Sequence, residues 1–227
     1  MPASKQILLL GIGNLLWADE GFGVRVIERL QKSYRFADNV SVMDGGTQGV
    51  YLVEHVQAAE VLIVFDAIDY GLPPATLKCI HDAEVPNFMG AKKMSLHQTG
   101  FQEVLAMAQM LGDYPEHLLL IGVQPEELED FGGSLRPSVK AQIQPAIDIA
   151  LAYLQDFGVK VDAVADTAEL ADPIMDIQRY EQERPAAELA CRIGDERVLL
   201  SDAFELKQPQ DSDLPSLQID VDYRGKY

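Results

Sequence analysis

Cysteine is scarce in this chain: only Cys79 and Cys191 occur in 227 residues. Two distant thiols without metal-ligand spacing exclude a disulfide framework and a zinc ribbon, and read as ordinary reduced thiols. Positive charge is scarce too, since 18 Lys and Arg face 36 Asp and Glu, a formal net charge of -18. Nucleic acid needs Lys and Arg to displace its counterions, and anionic membrane surfaces attract basic segments. Neither is an expected partner, whereas a metal cation or a neutral or basic protein surface is. Long apolar runs are also missing. The run Ile7 to Leu10 stops at Gly11, too short for a signal-peptide core, and no stretch approaches the roughly 20 apolar residues of a membrane span. The expectation is a cytoplasmic protein with no membrane insertion. Three familiar catalytic signatures are absent as well: no HExxH pair, no GxSxG elbow and no P-loop.

What the chain does have is a high apolar content, 48% of residues, arranged in short bursts. Gln6 to Leu30 contains a strand, a loop, an acidic pair and a helix in succession. Ile7 to Leu10 form an unbroken apolar run, as in a strand buried on both faces. Gly11, Gly13 and Asn14 suit a tight exit. Asp19 and Glu20 then precede a helical pattern with Val24, Ile27 and Leu30 on one face, and carboxylates are favourable at a helix start. A dinucleotide-binding turn would need a third glycine where Leu16 stands, and an acid about 20 residues on, whereas the next acid at a strand end is Asp44.

Further along, Val40 to Met43 predict a strand ending at Asp44-Gly45-Gly46-Thr47, with Thr47 capping a helix that turns Val50, Val53 and Val56 inward. Val61 to Phe65 predict a strand ending at Asp66, and Ala75 to Ile80 a short, antiparallel return. A loop with Pro86 and Gly90 leads to His97, and the helical pattern begins at Phe101, with Val104, Leu105, Ala108 and Leu111. Leu118 to Val123 predict another buried strand. One helix is expected from about Pro137 to Phe157, bent at Pro145. Alternating strands and helices imply a three-layer α/β/α fold around a mainly parallel, mixed sheet of about five strands.

Residues 1–160 are expected to form this domain. Residues 161–227 are expected to form an acidic C-terminal extension, partly disordered or docked on the domain. From Asp162 onward sixteen acids face seven bases, periodicity is weak and prolines recur. Arg197 to Leu200 are the one stretch there that suits a docked edge strand.

Glu20, Asp66 and His97 each follow a strand or loop that should deliver them to the same sheet edge, where open α/β folds bind ligands. Two hard oxygens and an imidazole suit a divalent first-row metal. Each also has a plain reading: a helix-start charge, a turn residue and a hydrogen-bonded loop histidine. His55, His81 and His117 are read as surface or structural.

Five segments resemble the NiFe-hydrogenase maturation endopeptidases, particularly those serving membrane-bound uptake hydrogenases. They are GIGNLLWADEGFGVRVIERL from Gly11, DGGTQG from Asp44, VFDAIDYG around Asp66, KMSLHQTGFQEVLA around His97 and GVQPEELEDFGGSL from Gly122. The resemblance implies an endopeptidase that removes the C-terminal extension of the hydrogenase large-subunit precursor after nickel insertion. Metal-binding positions of the family match Glu20, Asp66 and His97, and Asp44 falls in a segment associated with activity. On that basis Glu20, Asp66, His97 and Asp44 are the expected catalytic residues. Nickel is expected to arrive with the substrate, the site being otherwise empty or holding a surrogate divalent cation, while Asp44 or Asp69 accepts a proton. Maturation chaperones are further possible partners. Competing readings are a non-proteolytic nickel- or precursor-binding chaperone on the same scaffold and a nucleotide-dependent enzyme.

Overall fold

The apolar runs become central strands because helices cover both of their faces, which favours apolar side chains along most of their length. In the computed structural model, which describes residues 5–89, 96–164 and 176–183, β1 (Ile7–Ile12) and β4 (Val61–Ala67) are buried along their whole length. β3 (Val40–Gly46) lies beside β1, and β6 (His117–Val123) lies beside β4, all four parallel. β5 (Leu77–His81) closes the far edge antiparallel to β6, so the order is β3-β1-β4-β6-β5. The mainly parallel five-stranded sheet is the one the sequence predicts, including its antiparallel return. A second, two-stranded sheet pairs β2 (Tyr34–Phe36) with β7 (Val161–Ala163); strands of three residues carry too little alternation to be legible beforehand.

Alternate residues of each central strand face opposite helical layers. Ile7, Leu9, Ile63 and Phe65 pack under α1 (Phe22–Ser33) and α6 (Ile143–Gln155). Leu8, Leu10, Leu62 and Val64 pack under α2 (Val53–Gln57) and α4 (Leu96–Leu111). None of the described helices is long and apolar enough to cross a membrane.

Several expectations need correction. The predicted helix over 137–157 is two helices, α5 (Pro137–Lys140) and α6, because Pro145 offers no N–H and its ring would strike the carbonyl four residues back. Val50 is 54% exposed rather than inward, since residues Gly49–Leu52 wind as a tighter 3-10 turn that buries Leu52 instead. Thr47 caps nothing there; Gln48 precedes that turn and makes no side-chain cap. The loop after β5 contains a short helix, α3 (Glu84–Met89), and α4 starts at Leu96, so His97 sits in a first helical turn rather than a loop. His117 is the first residue of β6, stacked on Phe157 at 5.0 Å between ring centres, and His81 meets Tyr153 at 6.0 Å. His81 is exposed at the surface and His117 is partly buried. Cys79 is a free, exposed thiol.

Within the acidic stretch, β7 and a short helix, α7 (Ile177–Glu183), are described. Cys191 and Arg197 to Leu200 lie outside the described residues.

The strand order reverses at β1, with β3 on one side and β4 on the other. The crevice above the carboxyl ends of β1 and β4 is therefore the topological switch point, where such sheets bind ligands.

Candidate active site

The loop after β1 is folded tightly on itself. A side chain at Gly13, whose φ is +144°, would lie 1.9 Å from the carbonyl oxygen of Glu20, so only glycine fits. Asn14 closes the turn, its Oδ1 accepting from Leu16 N at 3.0 Å and its carbonyl accepting from Trp17 N at 3.1 Å. Residues Ala18–Gly21 then make one 3-10 turn that carries both acids.

Those neighbouring acids have different duties. Asp19 is fully buried. Its Oδ2 accepts from the backbone N–H groups of Glu126 and Glu127 at 2.9 and 2.8 Å, and its Oδ1 from Arg136 N at 2.7 Å. It thus fastens the loop after β6 to the loop after β1, helped by Gly132 N donating to Leu16 O at 2.7 Å and by Trp17 stacked edge-on to Phe131 at 5.2 Å. The sequence reading took Asp19 for a helix-start charge and missed this tether.

Glu20 is partly exposed, and its turn packs on β4. A side chain at Gly23 would lie 2.1 Å from Phe65 O, so the start of α1 rests directly on the end of β4. The next residue, Asp66, is fully buried and accepts from Ala67 N at 2.8 Å. Burial, and then the charge of Asp66, push the Tyr70 hydroxyl well above its ordinary pKa. Asp69 is engaged in the following turn, its Oδ1 accepting from Gly71 N at 2.9 Å and Gln124 Nε2 at 3.0 Å. Gln124 in turn accepts from Tyr70 N and Leu72 N at 2.8 and 3.1 Å, a clamp no sequence motif advertises.

His97 stands at the start of α4, whose Gly100 lies against Gly49, just beyond the end of β3; a side-chain carbon there would be 3.5 Å from Gly49 Cα. The helix thus begins at the edge that carries Glu20 and Asp66, while the imidazole itself lies outside the described side chains. Among the described residues no three His, Cys, Asp or Glu side chains are grouped to hold a metal. The chemistry of the full set, two carboxylates and one imidazole, fits a borderline divalent cation such as nickel.

Asp44 lies near the end of β3, two residues before Gly46, a short way along the same edge. Its Oδ1 accepts from Gly46 N at 2.8 Å, and Gly46 O accepts from Gly13 N at 3.0 Å, joining this segment to the β1 loop. A side chain at Gly45 would come within 2.8 Å of Leu10 Cδ1. Asp44 opens on a cavity of about 410 Å³ whose walls include Gly13, Leu16, Val24, Arg25 and Tyr180. Burial pushes the Asp44 carboxyl above its ordinary range and Glu28 adds to this, against the opposing pull of Gly46 N–H and the Arg25 charge. Arg25 is itself buried, its Nη1 2.7 Å from Glu28 Oε2. Glu20 and Asp66 do not line this cavity.

Residues 24–153 match the family model described as HycI, hydrogenase maturation protease. The chain is 62% identical over 213 residues to the hydrogenase expression/formation protein HupD of Thiocapsa roseopersicina, covering 92% of this chain and 96% of that one. It is 63% identical over 203 residues to HoxM of Azotobacter vinelandii, covering 89% and 98%. Among solved structures, the hydrogenase maturating endopeptidase HybD from E. coli superposes with a TM-score of 0.67 at 39% identity, covering 71% of this chain and 99% of that one. The family match ends before β7 and α7, whereas the likeness to HupD runs through both.

Proposed function

We propose a function from one premise: this chain belongs to the hydrogenase maturation protease family and is a peptidase acting in hydrogenase maturation. Its substrate is the large-subunit precursor of a NiFe hydrogenase, and it removes the precursor's C-terminal extension after nickel has been inserted. The observation that carries the reading is the meeting of the Glu20 turn with the Asp66 end of β4, at the switch point of the sheet. His97, at the start of α4, is the third donor.

Nickel in this account is cargo of the precursor. A set of three protein donors leaves coordination positions open for the substrate's own groups. Bound there, the ion supplies polarisation of the scissile carbonyl and a more acidic water. The rest falls to the chain. Glu20, Asp66 and His97 orient the loaded precursor, and Asp44 accepts the proton of the attacking water. The water oxygen bonds to the carbonyl carbon, the C–N bond breaks, and the proton passes from Asp44 to the leaving amine. Raised proton affinity at Asp44 suits a group that must both take and return a proton. Asp69, held by Gly71 and Gln124, keeps the turn after β4 in shape.

Intact-mass measurement of the precursor tests this. Nickel-loaded precursor incubated with the purified protein should lose the mass of its extension, and nickel-free precursor should stay whole. A loaded precursor that is bound but unchanged in mass would favour a non-proteolytic chaperone, and rapid cutting of the nickel-free form would separate proteolysis from nickel reading.

A further inference from the structure

α7 lies beyond the family match, yet it reaches back to the Asp44 cavity. Asp176 caps it, Oδ1 accepting from Gln178 N and Arg179 N at 2.8 and 3.0 Å, and pairs through Oδ2 with Lys32 of α1. Glu28 accepts from Ile177 N at 3.0 Å. Glu181 takes bonds from Ser134 Oγ at 2.8 Å and Lys140 Nζ at 2.9 Å. Tyr180 donates its hydroxyl to Gly133 O at 3.2 Å, lays its ring 5.4 Å from Arg25 Cζ, and lines the same cavity as Asp44.

Seven residues with so little apolar surface do not fold alone; these anchors to α1, α5 and the loop after β6 hold them. Their combined effect is to cover a buried guanidinium. Arg25 is gripped by Glu28 from its own helix and by the Tyr180 ring from above, a stacking that strengthens as water is excluded. Glu28 serves both ends, binding Arg25 with Oε2 and α7 with Oε1.

We propose that Tyr180 is a positioning residue for the cleavage reaction: by capping Arg25 it fixes the guanidinium beside Asp44 and keeps that side of the cavity dry. The C-terminal stretch thereby becomes part of the working site rather than a solubility tail. This rests on Asp44 being the proton acceptor. Among the described residues, the charged or titratable groups facing Asp44 are Arg25 and Glu28 from α1 and Tyr180 from α7 across the cavity. Removing the ring admits water, and since burial is the foremost cause raising the Asp44 pKa, the acid side of the rate profile should move to lower pH.

The test is the rate of precursor shortening by the full-length protein and its Tyr180→Ala and Tyr180→Phe variants, each checked for an unchanged circular dichroism spectrum. Tyr180→Ala should lose about tenfold in kcat with KM within about twofold, and its acid limb should shift downward. Tyr180→Phe, which keeps the ring, should restore both. Equal kcat and an unmoved acid limb in Tyr180→Ala would overturn the inference while leaving the proposed function standing. Precursor left whole by the unaltered protein would overturn both.

Discussion

The carboxyl edge of the sheet has two halves that differ in how they hold acid. Above β1 and β4, Asp66 is fully buried and Glu20 stands partly exposed on a turn packed against the same strand. Above β3, Asp44 is half-buried on a cavity shared with a guanidinium and a phenol. Under the proposed function the first half would offer hard oxygens to a cation, and the second would offer a carboxyl whose proton affinity is raised by burial. In that proposal one fold edge would separate binding from proton transfer, with strand position setting the surroundings of each carboxylate.

The sharpest way to break this division is to remove a donor from the first half. Asp66→Ala and His97→Ala should each lower cleavage of loaded precursor by about 10³ or more, the equivalent of several kcal/mol of transition-state stabilisation, with the fold intact by circular dichroism. Near-normal cleavage by either variant would remove it from the site. In the second half, Asp44→Asn should cost about 10² to 10³ in kcat while precursor binding, followed by co-purification, survives.

That substitution should also raise Tm slightly. Asp44 has a folded-state pKa above its unfolded value, so its ionised form opposes folding. The penalty is absent below the ordinary carboxylate range, sets in as pH climbs toward the raised pKa and is complete above it. The gain in Tm should therefore appear at neutral pH and vanish in acid, and a fall in Tm at neutral pH would contradict the burial argument.

The turn that supports both halves gives a smaller, purely structural effect. Asp19→Ala leaves three backbone N–H groups without their acceptor and should destabilise the fold by about 3 kcal/mol, seen as a Tm lowered by roughly 6 to 12 °C. The smallest effect concerns α7. Lys32 holds the Asp176 carboxyl below its ordinary range, so this anchor is present above the ordinary carboxylate pKa and is lost as pH falls through the lowered one. Amide exchange in residues 177–183 should accelerate only in strong acid.

Sequence made the central sheet legible because Ile7 to Leu10, Val61 to Phe65 and Leu118 to Ile121 are apolar without interruption, a pattern that burial on both faces demands. It also singled out Asp66 directly after such a run, Asp44 after the shorter run Val40 to Met43, and Glu20 at the helix start beyond the glycine exit, with their roles supplied by the family resemblance. Asp19 was opaque for a physical reason: its partners are backbone N–H groups 107 to 117 residues away, and any residue but proline carries one. Gln124 was hidden in the same way. Tyr180 was hidden because α7 offers only Ile177 and Tyr180 as apolar residues, too few for a helical period. The break before α6 was half visible, as Pro145 marked the disturbance but not that the chain would end one helix and begin another.

Nickel-edge X-ray absorption of the loaded precursor, alone and in complex with the Asp44→Asn variant, tests the division of labour most directly. The account predicts additional oxygen and nitrogen neighbours around nickel in the complex, the nitrogen being lost again when His97→Ala is added. An unchanged nickel environment on binding would contradict it.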